Sequence, residues 1–224
     1  MEFNIEDGIL REYHGEGGEV IIPEGVTEIG YGAFDGCAGI TAVTFPNTLR
    51  RIGNFAFWGA HMLREIVLPD GVESVGFRAF YGCLMATRTV IGRGLSDLGI
   101  AAFAGCDYQK EIAVDEKNPH FKSLDGVLYT KSGDTLIRFP SAKLTLNFSV
   151  PDGVKCIAPF AFCGALHLSS VTLPSSVLYV EREAFCGCRN LSTVTMLNPN
   201  TDCDFSVFDD CPFLQSVKRG TSQC

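Results

Sequence analysis

The chain has 224 residues, of which 46% are hydrophobic and 20% charged, a composition typical of a folded globular protein rather than a disordered or collagen-like one. Its 26 acidic and 18 basic residues give a net charge of −8, which disfavours nucleic acid and anionic lipid as partners because both attract basic surfaces. No apolar run approaches the roughly 18 residues that span a bilayer, so no membrane insertion is expected.

The N-terminal segment, residues 1–19, is interpreted as a cap. Asp7-Gly8 stands between two apolar runs, a pattern that favours a β-hairpin. The first residues lack the basic and apolar regions of a signal peptide. If Met1 is the native start, we expect a cytoplasmic protein; if the chain is a fragment of a longer exported protein, we expect an extracellular one.

From residue 20 onward the sequence repeats with a period of 23 residues. Val207-Phe208 marks the last repeat, and a break of 59 residues, 13 more than two periods, separates the fourth mark from the fifth. The pattern therefore predicts seven phased turns interrupted by an insertion. The earlier repeats carry the dipeptide Ala-Phe, which begins at Ala33, Ala56, Ala79, Ala102, Ala161 and Ala184.

Each repeat also carries a short alternating segment, such as Val20-x-Ile22, followed by a proline in most repeats. Alternation over three or four residues predicts a short strand with one buried face, and a proline ends it. A strand this short cannot bury its face alone, so neighbouring turns must stack into a solenoid. Inside it we expect an aromatic spine formed by Phe34, Phe57, Phe80, Phe103, Phe162, Phe185 and Phe208.

The insertion, residues 112–150, has an internal relative. The pattern of Phe121, Asp125-Gly126 and Leu128 repeats that of residues 3–10, which predicts a second hairpin unit that continues the stack. We expect one continuous domain over residues 1–224. Its parts are the cap 1–19, repeats 20–111, the inserted hairpin unit 112–150, repeats 151–217 and a C-terminal tail 218–224.

The repeat resembles a known family. Residues 23–37, PEGVTEIGYGAFDGC, carry a proline, an aliphatic residue three positions later and the motif Ile-Gly-x-x-Ala-Phe-x-Gly-Cys, as in the BspA-type class of leucine-rich repeats. The resemblance covers residues 20–217 apart from the insertion. It implies a leucine-rich repeat solenoid of the α/β class, a right-handed curved horseshoe with short parallel strands, tight turns and short helical turns.

Most of the ten cysteines follow the repeat. Those four positions after the Ala column alternate with alanine, which indicates small buried side chains. Cys163 and Cys186 stand instead two positions after Ala, in an outward column of adjacent turns. Stacking would hold their Cα atoms about 5 Å apart, so a disulfide is expected if this pair meets an oxidising compartment.

No motif for catalysis, a cofactor or a metal is present. The cysteines and histidines do not form a four-ligand zinc set, and His14, His61, His120 and His167 fall in separate parts of the stack. A hydrolase using a cysteine is the weakest function class considered, because packing accounts for the cysteines. We therefore expect no enzyme, no cofactor and no metal.

Two outward surfaces are candidates for protein binding. On the return side of the turns, Trp58 and Tyr81 share one column, and their residue types are enriched at interface hot spots. The alternative is that these rings fold over the spine as part of the shell. The ridge and strand-face residues considered are Trp58, Tyr81, Tyr31, Phe55 and Phe77 on the ridge and Ile21, Val67 and Val90 on the strands.

The sequence thus favours a non-catalytic scaffold that binds a protein partner of unknown identity, with self-association included. The resemblance implies the same, since BspA-like repeats are known chiefly as protein-binding and surface-attachment modules, in bacteria especially. The alternative function is a cell-surface or secreted adhesion module that binds host or matrix proteins, which requires export.

Overall fold

The computed structural model describes residues 2–220, which form β-strands and turns and include no helix. Met1 and residues 221–224, the end of the predicted C-terminal tail, lie outside the described residues. The solenoid is confirmed, but the short helical turns expected from the resemblance are not found in the described chain. In each early turn the residue before the Ala, such as Phe55 or Arg78, has φ between 51 and 58°. This left-handed conformation ends a right-handed helical run at that residue.

Each turn contributes one longer front strand and one two-residue side strand, with a corner after the side strand. The strands of the first half are β1 (Phe3–Glu6), β2 (Ile9–Tyr13), β3 (Gly18–Ile21), β4 (Glu28–Ile29), β5 (Ile40–Thr44), β6 (Arg51–Ile52), β7 (Glu65–Leu68), β8 (Ser74–Val75), β9 (Arg88–Ile91), β10 (Asp97–Leu98) and β11 (Glu111–Val114). Those of the second half are β12 (Phe121–Leu124), β13 (Val127–Thr130), β14 (Thr135–Arg138), β15 (Asn147–Ser149), β16 (Cys156–Ile157), β17 (Ser170–Leu173), β18 (Tyr179–Val180), β19 (Thr193–Met196), β20 (Asp202–Cys203) and β21 (Ser216–Arg219).

The first cap is the antiparallel hairpin of β1 and β2. Asp7 and Gly8 connect the strands with φ of 50 and 75°, the left-handed pair that a two-residue hairpin turn requires. Strand β2 then pairs in parallel with β4 of turn one. The Tyr13 ring lies 5.0 Å from that of Phe34, so the cap covers the first ring of the spine.

The side strands of the first four turns pair in register, and the spine stacks beside them. Ring centroids of Phe34 and Phe57 lie 4.6 Å apart, and those of Phe57 and Phe80 lie 5.0 Å apart with nearly parallel planes. All three rings are fully buried. Aromatic side chains of this kind bury about 150–250 Å² each, so the spine makes a large hydrophobic contribution to the stack.

The corners of neighbouring turns are joined by their own hydrogen bonds. Between turns two and three, the N–H groups of Phe55, Phe57 and Gly59 donate to carbonyl oxygens of the next corner over 3.0, 2.7 and 3.0 Å. The same three positions make equivalent bonds from turn one to two, three to four and five to six. Adjacent turns are therefore joined at their corners as well as at their side strands, and most pairs of turns are also joined at their front strands.

The insertion contains a second cap, which we call the middle cap (residues 121–139). Its β12–β13 hairpin turns at Asp125 and Gly126 with φ of 48 and 76°, as in the first cap. Strand β14 then pairs in parallel with β16. The Phe139 N–H donates to the Ala161 oxygen over 2.7 Å, so the middle cap starts the second stack as the first cap starts the first.

The front sheet opens between turns two and three, a feature we call the front opening. Strands β3 and β5 pair with each other, and β7, β9 and β11 form a separate sheet. Val43 of β5 and Phe45, which directly follows this strand, are only half-buried, whereas Ile66 of β7 is 1% exposed. The core is therefore partly accessible at this point.

The second break, the corner opening, lies between turn four and the middle cap. In the described chain the N–H groups of Ala101, Phe103 and Gly105 have no acceptor, although their equivalents in earlier turns bond to the next corner. The described Phe103 and Phe139 rings do not stack on each other. Two hydrophobic clusters result, one ending near the break and one beginning there.

Candidate protein-binding surface

The five ridge residues proposed from the sequence come together on the corners of turns one to three. Tyr31 and Phe55 contact each other edge-on with centroids 5.5 Å apart, and Phe55 lies 5.3 Å from Phe77. Trp58 lies 5.0 Å from Phe55 and 6.3 Å from Tyr81. We call this cluster of Tyr31, Phe55, Trp58, Phe77 and Tyr81 the aromatic ridge.

The aromatic ridge is separate from the spine. Its rings pair with one another, and no ridge ring in the described chain pairs with a spine ring. Tyr31 is 73% exposed and Trp58 is 40% exposed, whereas Phe55, Phe77 and Tyr81 are half-buried beneath and beside them. The outer rings are therefore not needed to fill the core, which leaves them free for contact with another molecule.

Arg78 adds a positive charge to the aromatic ridge. Its guanidinium carbon lies 5.0 Å from the Phe77 ring centroid, 5.1 Å from that of Tyr81 and 5.7 Å from that of Phe160 in turn five. Such cation–π contacts hold a guanidinium against aromatic faces. Its Nε is buried without a hydrogen-bond partner among the described residues. Burial also raises the pKa of the Tyr81 hydroxyl.

The front-strand candidates do not form one stripe. Val67 and Val90 are direct neighbours in the pairing of β7 with β9. Ile21, which is 72% exposed, pairs with Thr44 on β5 and lies across the front opening from them. The opening itself is a shallow groove of about 390 Å³ whose lining includes the charged residues Arg64 and Glu65.

Cys163 and Cys186 lie side by side on the corners of turns five and six. The Cys186 thiol donates to the Cys163 sulfur over 2.8 Å, and this bond lowers the pKa of Cys163 to about 7. The same bond raises the pKa of Cys186. Both side chains are half-buried, so they are accessible in part to reagents.

The cysteines of the repeat column lie against the spine instead. The Cys83 and Cys188 thiols are buried and donate to the carbonyl oxygens of Phe57 and Phe162 over 3.5 and 3.1 Å. Burial raises the pKa of Cys83 well above its usual value. These thiols are structural and unreactive at neutral pH.

Residues 2–220 contain no group of three or more His, Cys, Asp or Glu side chains arranged to hold a metal ion. In the same range there is no helix of the length and apolarity that a membrane span requires. The strongest grouping of exposed side chains that the sequence predicted is therefore the aromatic ridge. Arg78, which joins it to Phe160, was missed because it stands in a variable column with no distinctive neighbour in sequence.

The architecture defines a repeat protein, a β-solenoid of stacked turns with a capped start. In sequence the chain matches the family described as BspA type leucine rich repeat region, in six copies over residues 13–124 and 138–222. The chain therefore belongs to the BspA-type leucine-rich repeat family. No curated protein matches it significantly in sequence.

Solved structures with the same fold come from bacteria. A leucine-rich repeat protein from Eubacterium ventriosum superposes with a TM-score of 0.76 at 22% identity, over 96% of this chain and 68% of that one. The Treponema pallidum leucine rich repeat protein gives 0.51 at 26% identity, over 88% and 84%. A leucine rich cell surface protein from Faecalibacterium prausnitzii gives 0.51 at 20% identity, over 96% and 91%.

Proposed function

We propose that this protein is a non-catalytic scaffold that binds a protein partner through the aromatic ridge. Membership of a leucine-rich repeat family supports a protein-binding repeat scaffold in general. The observation that carries the specific site is the exposure of Trp58 and Tyr31 on a cluster of rings that the core does not require. Aromatic rings with a neighbouring arginine are the side chains most enriched at hot spots.

The ridge has the properties of a protein contact. Its rings are held in fixed edge contacts, so little side-chain entropy is lost when a partner covers them. Arg78 places a partly desolvated charge beside Tyr81, where an acidic or carbonyl group of the partner gains a strong bond. The front stripe is a weaker candidate because the front opening divides it.

The test is quantitative affinity capture from the source organism's lysate with mass spectrometry, comparing three forms of the protein. The first is the wild type, and the second carries Trp58→Ala and Tyr81→Ala. The third carries Met62→Ala and Met85→Ala, a matched control because these side chains are 46% and 41% exposed on the same two turns. We expect partners to be lost only with the aromatic variant.

Retention of every partner by the aromatic variant would remove the ridge from consideration, and failure of the wild type to capture any protein would count against the scaffold function. Self-association is a second reading of the same surface. Light scattering of the purified wild type and aromatic variant distinguishes it, since a ridge-mediated dimer dissociates only in the aromatic variant.

The second candidate function is adhesion at a cell surface. It is favoured by the description of a protein of similar fold, from Faecalibacterium prausnitzii, as a leucine rich cell surface protein. Protease treatment of intact source cells tests this alternative. Loss of the protein from intact cells supports an exported location, and protection until lysis supports a cytoplasmic one.

A further inference from the structure

The corner opening contains a largely apolar cavity that is partly open to solvent. Its volume is about 180 Å³, and its walls come from the corner of turn four on one side and from the middle cap and turn five on the other. The larger apolar side chains that line it are Leu98, Ile100, Phe103, Phe121, Ile137 and Phe160. An apolar cavity of about 150 Å³ is large enough to hold benzene, so this one accommodates a slightly larger molecule.

The cavity exists because the corner of the middle cap is short. Between its core residues Leu136 and Phe139 there are only two residues, whereas four stand between the equivalent Ile157 and Phe162 of turn five. The backbone that would complete the corner and bond to turn four is thus absent. The corner of the first cap is equally short, but it is the first corner of the described chain. No earlier corner is therefore left without a bonding partner.

Two backbone donors in the cavity wall are left without acceptors by this shortening. The equivalent N–H groups one turn earlier, at Arg78 and Phe80, donate to Ile100 and Ala102 over 3.1 and 2.8 Å. The N–H groups of Ala101 and Phe103 occupy the same two positions of the corner of turn four, beside the cavity, and find no acceptor among the described residues. An unpaired buried N–H is unfavourable and is normally satisfied by another group.

A buried arginine supplies a third donor. Arg138 lines the cavity and is 4% exposed, and its Nη atoms donate to the oxygens of Phe160 and Cys163 and to the Ser141 hydroxyl over 2.9, 3.0 and 2.7 Å. Its Nε is buried without an acceptor in the described chain. The equivalent residue of the first cap is the exposed Glu12, so the arginine is specific to the cavity.

The charge of Arg138 also lacks a direct counterion. No ion pair joins it to a carboxylate of residues 2–220. The charge acts on Asp107 from a greater distance, but burial outweighs it and raises the pKa of that carboxyl. A guanidinium removed from water without a paired anion is costly, and an anionic ligand lowers that cost.

We propose that this cavity binds a small monocarboxylate whose body is a single ring or a short aliphatic chain. The carboxylate accepts hydrogen bonds from Arg138 Nε and from the N–H groups of Ala101 and Phe103. The apolar body lies against Ile100, Phe121 and neighbouring side chains of the cavity. Ile100, which is 42% exposed at the rim, leaves a route from solvent.

The experiment measures binding of sodium benzoate and of benzyl alcohol at pH 7 by isothermal titration and by amide chemical-shift changes. The two probes share the ring and differ in the charged acceptor. Because a hydrogen bond to a charged group contributes more than one between neutral groups, we expect benzoate to bind at least about tenfold more tightly. Shifts should concentrate at Ala101 and Phe103.

Two leucine variants locate the site. Ala158→Leu fills the cavity from turn five, and Glu181→Leu places the same side chain at the equivalent exposed position one turn later. We expect benzoate binding to be lost only in Ala158→Leu. In Arg138→Met the preference for benzoate over benzyl alcohol should disappear. The leucine variants decide the outcome if removal of the arginine prevents folding.

Equal affinity for the two probes, or no detectable binding of benzoate at millimolar concentration, would overturn the proposal. Unchanged binding in Ala158→Leu, or equal loss in both leucine variants, would place the ligand outside the cavity and overturn it as well.

Discussion

The front opening and the corner opening separate neighbouring turns in different ways. At the front opening the front strands β5 and β7 are unpaired, but the side strands β6 and β8 remain paired and the spine rings of Phe57 and Phe80 stay 5.0 Å apart. At the corner opening the side-strand pairing, the corner bonds and the spine contact are all missing, and the turns are held by contacts near the front. The Ile112 N–H bonds to Gly126 over 2.9 Å, and that of Ala142 bonds to Gln109 over 2.7 Å.

The difference shows that the front-strand pairing can be lost while the side strands and corners of the same two turns stay joined. The stability of a solenoid comes largely from the interfaces between neighbouring turns. Here the interface between turns two and three lacks one set of bonds and keeps the others. The front opening leaves the 23-residue period intact, whereas the corner opening follows from a corner two residues shorter. The front opening therefore reflects the path of strands β5 and β7, whereas the corner opening reflects the smaller number of residues in the corner of the middle cap.

The largest expected effect comes from the spine, which carries the stack across the front opening. Phe80→Ala should lower the free energy of unfolding by about 3–5 kcal/mol, because the fully buried ring stacks on both Phe57 and Phe103. Glu28→Ala is the control, since its ion pair with Arg51 lies at the surface and contributes about 0–1 kcal/mol. Equal midpoints of the two variants in urea would contradict the role of the spine.

A smaller effect compares the two sides of the front opening. Ile66→Ala should cost about 2–5 kcal/mol, as expected for a buried aliphatic side chain. Val43→Ala should cost about 1 kcal/mol or less, because Val43 is already partly exposed to water at the opening. Denaturant unfolding measures both values, and a loss at Val43 as large as that at Ile66 would mean that the front sheet is closed in solution.

Amide hydrogen exchange tests the corner opening directly. Ala101 and Phe103 should exchange at least about tenfold faster than Arg78 and Phe80, whose N–H groups bond to the next corner. The comparison is controlled internally, since the four amides occupy the same two corner positions of adjacent turns. Similar protection at both pairs would show that the corner opening is filled by an acceptor.

The smallest expected effect is a change in the pKa of Cys163, which lies at the intact corners of turns five and six. The pKa of Cys163 is lowered to about 7 by the bond from the Cys186 thiol, so alkylation of Cys163 should rise through neutral pH. Cys186→Ala removes the donor, which raises the pKa of Cys163 and moves the midpoint of alkylation to higher pH. Cys211→Ala serves as the control.

An unchanged midpoint in Cys186→Ala would disprove the coupling between the thiols. Under oxidising conditions we expect the same pair to form the disulfide predicted from their shared column. Mass spectrometry without reduction measures that bond.

The sequence predicted the repeat well and the breaks poorly. The regular Ala-Phe spacing was sufficient for the spine, and Asp-Gly was sufficient for hairpins at Asp7 and Asp125, because both signals are local. The second sheet, to which Glu28 and Ile29 belong, was missed, since two residues are too few to show alternation.

The front opening depends on contacts that no short segment encodes, whereas the corner opening leaves a trace in the sequence. Val43 and Phe45 keep the strand pattern, so nothing in their sequence distinguishes the front opening. A signal for the corner opening was present: Phe139 stands one full period before Phe162, but the core residue before it, Leu136, is two positions out of phase. Recognising that mismatch would have drawn attention to Arg138.

The middle cap has a consequence for how the chain folds. A hairpin closes in about 1–10 μs because its contacts are local in sequence, and this chain has one at the start of each stack. Each hairpin offers a strand edge on which the next turn can assemble. Folding can therefore begin at both hairpins, and the two folded stacks then meet at turn four. We expect the docking of these two halves, rather than the formation of either, to be the last and slowest event of folding.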